Sequence, residues 1–385
     1  MNVFQLGKTW FSEQAGGGSD RVFAALTHHL PDPDTTVRGL VIGDTPSNGS
    51  AIPGVTGVSR ETDSLLSRWR AVRASVRSTI DTEEPDVITS HFALYAAPVL
   101  DLIGDIPFVV HFHGPWAAES RMEGESAVKT RFKSAIERRV YRRGDRFVVL
   151  SETFRDILID DYGVPSDRIH IIPGGVDVEN FATSLSREEA RTALGWPTDR
   201  PTLLSVRRLV KRVGLGPLIR AVDRMRNRVP DVLLMIAGKG PLRSDLEAMI
   251  RDLSLEDHVR LLGFVPDSDL PTAYRAADIS VMPTQALEGF GLSAVESLAA
   301  GTPVVVTPIG GLPGIVQGLS NELLFADGTA SKMAEHLTDL FSGKRALPGI
   351  NTCEAYARSH YDWDSVAGQT RKMYRDLLSC DNLSM

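Results

Sequence analysis

The sequence has little cysteine and no long apolar run. Only Cys353 and Cys380 occur among the 385 residues, which is too few for a disulfide framework or a thiolate metal site and indicates a reducing compartment. No uninterrupted apolar stretch approaches the roughly 18 residues that a membrane span needs. The first residues also lack the basic and apolar regions of a signal peptide. We therefore expect a cytoplasmic protein.

Positive charge is also in deficit. The chain carries 42 Lys and Arg against 49 Asp and Glu, for a formal net charge of −7. Binding to nucleic acid needs a concentrated basic face, so the balance argues against a nucleic-acid partner. A chain of 385 residues also exceeds what one hydrophobic core usually supports, and two domains of about 180 residues each are expected.

Short apolar runs rich in β-formers alternate with segments of helical spacing, and this alternation occurs twice. It predicts an α/β protein with two Rossmann-like, doubly wound parallel sheets in series. In the first half the predicted strands are residues 3–6, 36–42, 87–90, 108–112, 147–150 and 169–172. In the second half they are residues 202–206, 232–237, 259–262, 279–282, 304–307 and 322–325.

The join between the two domains is expected where Pro and two Gly follow a strand, in residues 172–177. This gives an N-terminal domain over residues 1–176 and a C-terminal domain over 177–363. A C-terminal helix at about 364–385 is expected to pack back on the first domain. Residues 60–80 have helical spacing and predict a helix that covers a sheet.

The most informative stretch is EGFGLSAVE, residues 288–296. Its glycines end a loop and a helix-forming run begins at Leu292, so free amides and the positive end of the helix dipole can meet phosphate or sugar oxygens. Glu288 precedes this helix and Glu296 lies inside it. Carboxylate oxygens accept hydrogen bonds from sugar hydroxyls. Alternatively, Glu288 caps the helix and Glu296 is a solvated surface residue.

A basic segment, RRLVKRVG at residues 207–214, follows the predicted strand 202–206. Cations at the carboxyl end of a parallel strand point into a ligand crevice, and guanidinium groups match phosphate oxygens bidentately. Arg208, Lys211 and Arg212 are therefore candidates for binding a diphosphate. A solvated basic loop is the alternative.

Two motifs in the first half also end strands. The run GGGSDR at residues 16–21 opens an apparent helix, and Gly17 and Gly18 would allow a phosphate or sugar to approach the backbone closely, although a flexible turn has the same composition. The run HFHGPW places His113 just beyond a strand end, where it could orient a sugar hydroxyl or relay a proton. Zinc ligation is not favoured, because no third and fourth ligands stand nearby.

Taken together, these motifs resemble the retaining glycosyltransferases of family 4, the glycosyl transferases group 1, over nearly the whole chain. Glu288 and Glu296 match the E-x7-E signature of that family, with GFG between them. Further matches are to its GG-[AS]-[ED]-R-V loop, its interdomain IPNGVD with Gly in place of Asn, its G-x-G-P-L turn and its base-contacting G-x-V/I strand end, at residues 17–22, 172–177, 237–242 and 263–265.

The resemblance implies the GT-B fold, in which two Rossmann-like domains face each other across a cleft. It also implies roles for single residues. Glu288 would hold the hydroxyls of the donor sugar, Glu296 the ribose and Arg208 the diphosphate. The remaining donor-binding residues would be Gly289, Phe290, Gly291, Leu292, Gly240, Val265, Gly17 and Gly18.

One position departs from the family. Val213 stands where a second phosphate-binding residue, usually Lys, is expected. Arg212 or Lys211 must then take over this role, and we favour Arg212 because it is the immediate neighbour and has the longer, forked side chain.

The family's reaction would move a hexose-type sugar from a UDP- or GDP-sugar to an acceptor hydroxyl, with retention and without a metal or other cofactor. The product would be a glycan, glycolipid or glycoside. A nucleotide-sugar epimerase or phosphorylase would share the two-domain frame but does not explain E-x7-E. A dinucleotide-dependent dehydrogenase is disfavoured because no GxGxxG follows a strand. A non-catalytic nucleotide-sugar-binding protein is a further alternative.

The acceptor side is expected in the N-terminal domain by analogy with the family. Residues 129–146 hold eight Lys and Arg against Glu137 and Asp145, so this segment could rest on anionic lipid at the inner membrane face, guide an anionic acceptor, or form a solvated helix face. Five aromatic residues at or near strand ends could stack on sugar rings or pack in the core: Trp10, Phe11, Phe92, Tyr95 and Trp116.

Overall fold

The computed structural model describes residues 1–10, 17–43 and 52–381. Phe11, Gly16 and residues 382–385 of the predicted C-terminal helix lie outside the described residues, and nothing is described of the Cys380 side chain. Contacts between residues divide the chain into two compact units. The first unit comprises Met1–Gly174 and Trp363–Met385, and the second unit comprises Gly175–Asp362.

The first unit contains a parallel sheet of seven strands in the order β3-β2-β1-β4-β5-β6-β7. The strands are β1 Asn2–Thr9, β2 Thr36–Ile42, β3 Val55–Val58, β4 Val87–Ser90, β5 Phe108–Phe112, β6 Arg146–Val149 and β7 Ile169–Ile171. Every residue of β4 and β5 is buried, because helices cover both faces of a parallel sheet.

Helices connect these strands. They are α1 Gly18–His29, α2 Leu65–Glu83, α3 Ala93–Ala96, α4 Trp116–Met122, α5 Ala127–Arg143 and α6 Glu152–Tyr162, with short 3₁₀ turns at Ala97–Val99 and Ser166–Arg168. The helix predicted over 60–80 begins at Leu65, because the Ser64 side chain accepts a hydrogen bond from the Ser67 amide (3.2 Å) and caps it there. The earlier start at residue 60 was wrong.

The second unit contains a parallel sheet of five strands in the order β10-β9-β8-β11-β12. The strands are β8 Thr202–Val206, β9 Leu233–Ala237, β10 Val259–Gly263, β11 Ile279–Met282 and β12 Val304–Val306. After β8 the chain forms β9 and β10 on one side of β8, and it then forms β11 and β12 on the other side. The carboxyl ends of β8 and β11 therefore form the switch point at which such sheets bind ligands.

The helices of the second unit are α7 Val178–Phe181, α8 Arg187–Leu194, α9 Leu215–Met225, α10 Arg243–Asp252, α11 Leu270–Ala276, α12 Leu292–Ala299, α13 Leu312–Val316, α14 Ala330–Phe341 and α15 Ile350–Tyr361. Further 3₁₀ turns lie at Lys211–Val213 and Asn321–Leu323. The strand predicted at 322–325 was wrong, because only Leu324 bridges to β12, at Val306. Its buried neighbours Leu323 and Phe325 account for the apolar run.

The last helix, α16 Trp363–Asp381, belongs to the first unit and packs on α1. Arg371 donates hydrogen bonds to the carbonyls of His29 (2.7 Å) and Leu30 (3.0 Å), which are backbone groups at the end of α1. The Arg375 side chain pairs with Asp32 at 2.8 Å. Within residues 1–10, 17–43 and 52–381, none of the helices combines the length and the apolar character that crossing a bilayer requires.

Candidate active site

Two loops meet backbone to backbone where β8 and β9 end. The Arg207 amide donates to the Ala237 carbonyl at 2.8 Å. A Cβ atom on Gly238 would lie 1.9 Å from the Arg207 carbonyl oxygen, and one on Gly240 would lie 2.4 Å from that of Leu209. Only glycine fits such contacts. Gly240 therefore holds the basic loop in place, and its predicted contact with a donor stays a prediction.

Glu288 is fixed across the switch point by Arg207. Their side chains form an ion pair and are only 13% and 9% exposed. Arg207 also donates to the Thr284 hydroxyl, which in turn donates to the Glu288 carboxylate, each at 3.3 Å. The Glu288 carbonyl accepts from the Gly311 amide at 3.0 Å. Arg207 was not among the predicted site residues, yet it is the cation that contacts Glu288 directly.

The remaining cations of the basic segment differ in their surroundings. Arg212 is half-buried and donates to the Leu287 carbonyl at 2.9 Å, beside Glu288. Arg208 and Lys211 are both exposed. Val213, at the position that departs from the family, is only 2% exposed. A side chain at 213 packs into the interior of the second unit, so a cation is better accommodated at 212.

Helix α12 begins at the predicted place and has open amides at its start. Gly291 is its N-cap, with a φ of +108° that favours glycine, and no side chain caps the helix. Glu288 therefore does not act as a cap. In the described part of the chain, the amides of Gly289, Phe290 and Gly291 donate no hydrogen bond. The Phe290 ring is buried against Tyr361, 5.6 Å between ring centres, and Leu292 is the first helical residue.

Glu296 is buried rather than solvated. Glu296 lies in α12 and is only 4% exposed. Its carboxylate accepts a hydrogen bond from the Tyr274 hydroxyl at 2.9 Å. The alternative that Glu296 is a solvated surface residue was wrong. Val265 is half-buried after β10, at the edge of the sheet. Beside it, the Lys239 ammonium lies 4.8 Å from the centre of the Phe264 ring.

His113 belongs to a group of stacked imidazoles in the first unit. Its Nε2 lies 3.0 Å from Nδ1 of His91, whose Nε2 lies 3.1 Å from Oε1 of Gln5. The His111 ring stacks on His91 with centres 4.3 Å apart, and its Nε2 lies 2.6 Å from the Tyr374 hydroxyl. Burial lowers the pKa of His113 to about 4 and that of His111 to about 3. The group is therefore uncharged at neutral pH.

The glycine-rich loop is described from Gly17 onwards. The Gly17 amide donates to the Asp20 carboxylate at 2.8 Å, and Gly18 is the first residue of α1. Asp20 is buried, and burial raises its pKa. One of the amides at the start of this helix is therefore already used within the loop.

The four described aromatic candidates fall into two pairs. Trp10 and Tyr95 are buried and pack in the core. Phe92 and Trp116 are half-buried, with ring centres 5.0 Å apart, and they directly follow His91 and Pro115 in the chain. Across the described residues, no group of three or more His, Cys, Asp or Glu is placed to hold a metal ion.

Two doubly wound parallel sheets in series define an α/β protein, and in the second sheet cations and open helix-start amides lie at a switch point, an arrangement suited to phosphate oxygens. The fold is similar to that of Anabaena HepE crystallised with UDP and glucose, with a TM-score of 0.80 and 21% identity over 98% of this chain and 100% of that one. The fold is therefore of the GT-B type.

Two family models match successive parts of the chain: Glycosyltransferase Family 4 over residues 16–180 and Glycosyl transferases group 1 over residues 186–360. The chain belongs to this family of glycosyltransferases, as its motifs predicted.

Two curated relatives illustrate the range of the family. The 2-deoxystreptamine glucosyltransferase of Streptomyces kanamyceticus is 26% identical over 91% of this chain and 94% of that protein. The mannosylfructose-phosphate synthase of Agrobacterium fabrum is 31% identical over 62% of this chain and 55% of that protein. This chain covers only 55% to 62% of the length of five relatives that are 31% to 35% identical to it.

Proposed function

We propose that the protein transfers a hexose-type sugar from a nucleoside-diphosphate sugar, with UDP or GDP as the carrier, to an acceptor hydroxyl with retention at the anomeric carbon. The observation that carries the proposal is the fixed Glu288 loop, which Arg207 and Arg212 hold directly ahead of the open amides of α12. Glu288 accepts hydrogen bonds from sugar hydroxyls, and Arg208 and Arg212 bind the diphosphate.

The chemistry follows from where charge develops. As the bond between the anomeric carbon and the diphosphate oxygen breaks, its electron pair moves to the leaving diphosphate. The acceptor oxygen bonds to the anomeric carbon on the same face, and its proton passes to a donor phosphate oxygen. Fixed guanidinium groups and helix-start amides stabilise the growing negative charge more in the transition state than before it. No metal ion is needed for this step.

The relatives support a nucleotide-sugar donor. HepE was crystallised with UDP, with UDP and glucose, and with UDP-glucose, and the Streptomyces relative is a glucosyltransferase. A mannosyltransferase of Mycolicibacterium smegmatis, 35% identical over 61% of this chain and 62% of that protein, is GDP-mannose-dependent. We therefore propose a UDP- or GDP-hexose as the donor.

A thermal-shift panel of UDP, GDP, ADP and their sugars tests the donor site. We expect one nucleoside diphosphate to stabilise the protein by about 2.7 kcal/mol at 100 times its dissociation constant. Arg208→Ala and Glu296→Ala are expected to abolish this shift, because they remove a phosphate ligand and the predicted ribose ligand. The matched variant Lys211→Ala, which removes an equally exposed cation of the same loop, should retain it.

A wild-type protein that none of the panel stabilises at millimolar concentration would rule out the donor site. A non-catalytic nucleotide-sugar-binding protein would show the same shift as an enzyme. Release of the nucleoside diphosphate from the stabilising sugar nucleotide, by transfer or slow hydrolysis, separates these two functions.

We further propose that the outer face of α5 rests on an anionic membrane surface, from which a lipid-linked acceptor would be reached. Val128 and Phe132 on this face are 79% and 49% exposed, and Arg131 and Arg139 beside them are exposed as well. Ile136, Val140 and Tyr141 face the core instead. Apolar side chains flanked by cations are typical of helices that lie in the lipid interface.

Sedimentation with vesicles tests this contact. Replacing Arg131 and Arg139 by Gln should weaken binding to phosphatidylglycerol-containing vesicles about 30-fold, because each cation near an anionic surface contributes about 1 kcal/mol. The matched control replaces Arg70 and Arg77, two exposed arginines of α2, and should bind as the wild type does. Equal losses in both variants, or wild-type binding to neutral vesicles only, would contradict the proposal.

A further inference from the structure

The position of His91 between Gln5 and His113 is set by the topology of the first sheet. Strand β4 lies between β1 and β5, so the residue that follows β4 reaches side chains from both neighbours. His91 is buried, with Nε2 3.1 Å from the Gln5 amide oxygen and Nδ1 3.0 Å from Nε2 of His113. The three side chains thus form one hydrogen-bonded chain.

Thr27 fixes the direction of the hydrogen bond between Gln5 and His91. Its hydroxyl donates to the Phe23 carbonyl at 2.8 Å, within helix α1. With its only proton used there, Thr27 must accept the hydrogen bond from Nε2 of Gln5, at 3.2 Å. The amide oxygen of Gln5 therefore faces His91 and can only accept, so Nε2 of His91 carries a hydrogen.

The same reasoning gives the direction of the hydrogen bond between His91 and His113. Burial holds the pKa of His91 well below its usual value, and a neutral imidazole with its hydrogen on Nε2 has a lone pair on Nδ1. That lone pair accepts from Nε2 of His113, which must then carry the hydrogen. His113 is neutral as well, since its pKa is lowered to about 4. Its Nδ1 is left with a lone pair and, among the described residues, without a protein partner.

We propose that Gln5 and His91 are positioning residues that fix the tautomer of His113, so that His113 presents Nδ1 as a hydrogen-bond acceptor. Such a nitrogen takes a hydroxyl group and disfavours a carbonyl or a phosphate oxygen, which have no hydrogen to give. That the hydroxyl belongs to a sugar rests on the proposed function. His113 would orient this hydroxyl or relay its proton, and it would not protonate the leaving diphosphate.

The residues around the hydrogen-bonded side chains of Gln5, His91 and His113 support a single tautomer. His111 stacks on His91 and meets the Tyr374 hydroxyl at 2.6 Å, and Phe23 packs edge-on against the His91 ring. No charged histidine competes at neutral pH, because burial also lowers the pKa of His111 to about 3. A third group that orients an imidazole in this way is the usual means of selecting which nitrogen carries the proton.

Nitrogen NMR of the full-length protein with ¹⁵N-labelled histidine tests the assignment directly at pH 7. We expect His91 and His113 each to show only the tautomer with hydrogen on Nε2. His336 serves as an internal reference, since its Nε2 lies 2.8 Å from the Glu322 carbonyl oxygen, which can only accept. A His113 signal with hydrogen on Nδ1 in the wild type would overturn the proposal.

One variant tests the role of Gln5. Gln5→Met has a similar length but no polar end, and we expect a measurable Nδ1–H population of His113 to appear while the His336 signal is unchanged. A folded Gln5→Met protein with wild-type imidazole signals would show that Gln5 does not set the tautomer.

Activity provides a second measurement. With the donor found in the nucleotide panel, Gln5→Met should lower kcat on the order of tenfold, since it leaves only part of His113 correctly protonated, without changing the dissociation constant of the nucleoside diphosphate. The NMR assignment needs no substrate, so failure of the proposed function would show in the nucleotide panel and failure of this inference in the imidazole spectrum.

Discussion

Replacing Arg208 by alanine is expected to lower kcat for sugar transfer about 10²–10³-fold, the usual effect of removing one fixed group that stabilises transition-state charge. Arg208 is exposed and makes no ion pair within the described residues, so its guanidinium is available to a ligand. The backbone beneath it is rigid, because the Arg207 and Leu209 amides donate to the Ala237 and Lys239 carbonyls at 2.8 Å and 2.9 Å.

The same basic loop provides its own control. Lys211→Ala removes an exposed charge and should change kcat by no more than about twofold, the effect of an ordinary surface substitution. Arg212→Ala should lower kcat as Arg208→Ala does, and it should also lower stability because Arg212 holds the Leu287 carbonyl. A large loss of kcat in Lys211→Ala, with only a loss of stability in Arg212→Ala, would reverse the assignment between these two residues.

Stability separates binding from folding in this series. The free energy of unfolding of Arg208→Ala should lie within about 0.5 kcal/mol of the wild-type value, since an exposed side chain contributes little to folding. Steady-state kinetics with the donor identified in the nucleotide panel would give kcat and KM for each variant. An Arg208→Ala enzyme with wild-type kcat would show that the diphosphate does not lie at the carboxyl end of β8.

Most strands could be predicted from the sequence, including the edge strands β7, β10 and β12, whose bounds were predicted to within one residue. Strands β2, β4, β5, β8 and β11 begin and end where their apolar runs do, because an inner parallel strand is largely buried on both faces. Strand β3 was missed. It is an edge strand of four residues, none of them fully buried, with Gly57 inside it, so it leaves almost no hydrophobic signal.

The candidate site was predicted in part. The E-x7-E residues, the basic segment and His113 carry local motifs, and each of them follows or opens an element as expected. The contact of Arg207 with Glu288 joins residues 81 positions apart, and that of His91 with Gln5 joins residues 86 positions apart. Such pairs depend on strand order, which a single sequence does not specify. A polar residue directly after a buried strand, as at His91, was the available signal.

A second large effect is expected at Glu137, inside the basic helix α5. Its side chain is fully buried, and one carboxylate oxygen accepts hydrogen bonds from the Tyr162 hydroxyl (3.0 Å) and the Ala117 amide (3.3 Å). The other oxygen has no hydrogen-bond partner within the described part of the chain. Burial therefore raises the pKa of Glu137 from its ordinary 4.5 to about 7.

The direction of the pH effect follows from this shift. Between pH 4.5 and 7 the folded protein holds a proton on Glu137 that the unfolded chain has released. The resulting stabilisation is complete below pH 4.5 and is lost as the pH rises through 7. At 1.36 kcal/mol for each pKa unit, the loss amounts to about 3 kcal/mol by pH 8.

Glu137→Gln should remove this dependence, because the amide oxygen still accepts from Tyr162 and Ala117 and carries no charge at any pH. Between pH 5 and pH 8 the wild type should lose about 3 kcal/mol of its free energy of unfolding that the variant does not lose. Hydrogen exchange of the slowest amides in β5 and β6 would report the free energy of opening this unit. Glu123→Gln, at an exposed position just before the same helix, is the matched control and should follow the wild type.

Glu137 is linked to the candidate site through the Ala117 amide, which donates a hydrogen bond to it. The Ala117 amide belongs to the first turn of α4, which begins three residues after His113. Ionisation of Glu137 would place an incompletely compensated buried charge beside the loop that carries the imidazole, and the wild type should lose activity above pH 7 more steeply than Glu137→Gln does. If both proteins have the same stability at pH 5 and at pH 8, Glu137 is already ionised in the folded state, and the coupling between α5 and the His113 loop does not exist.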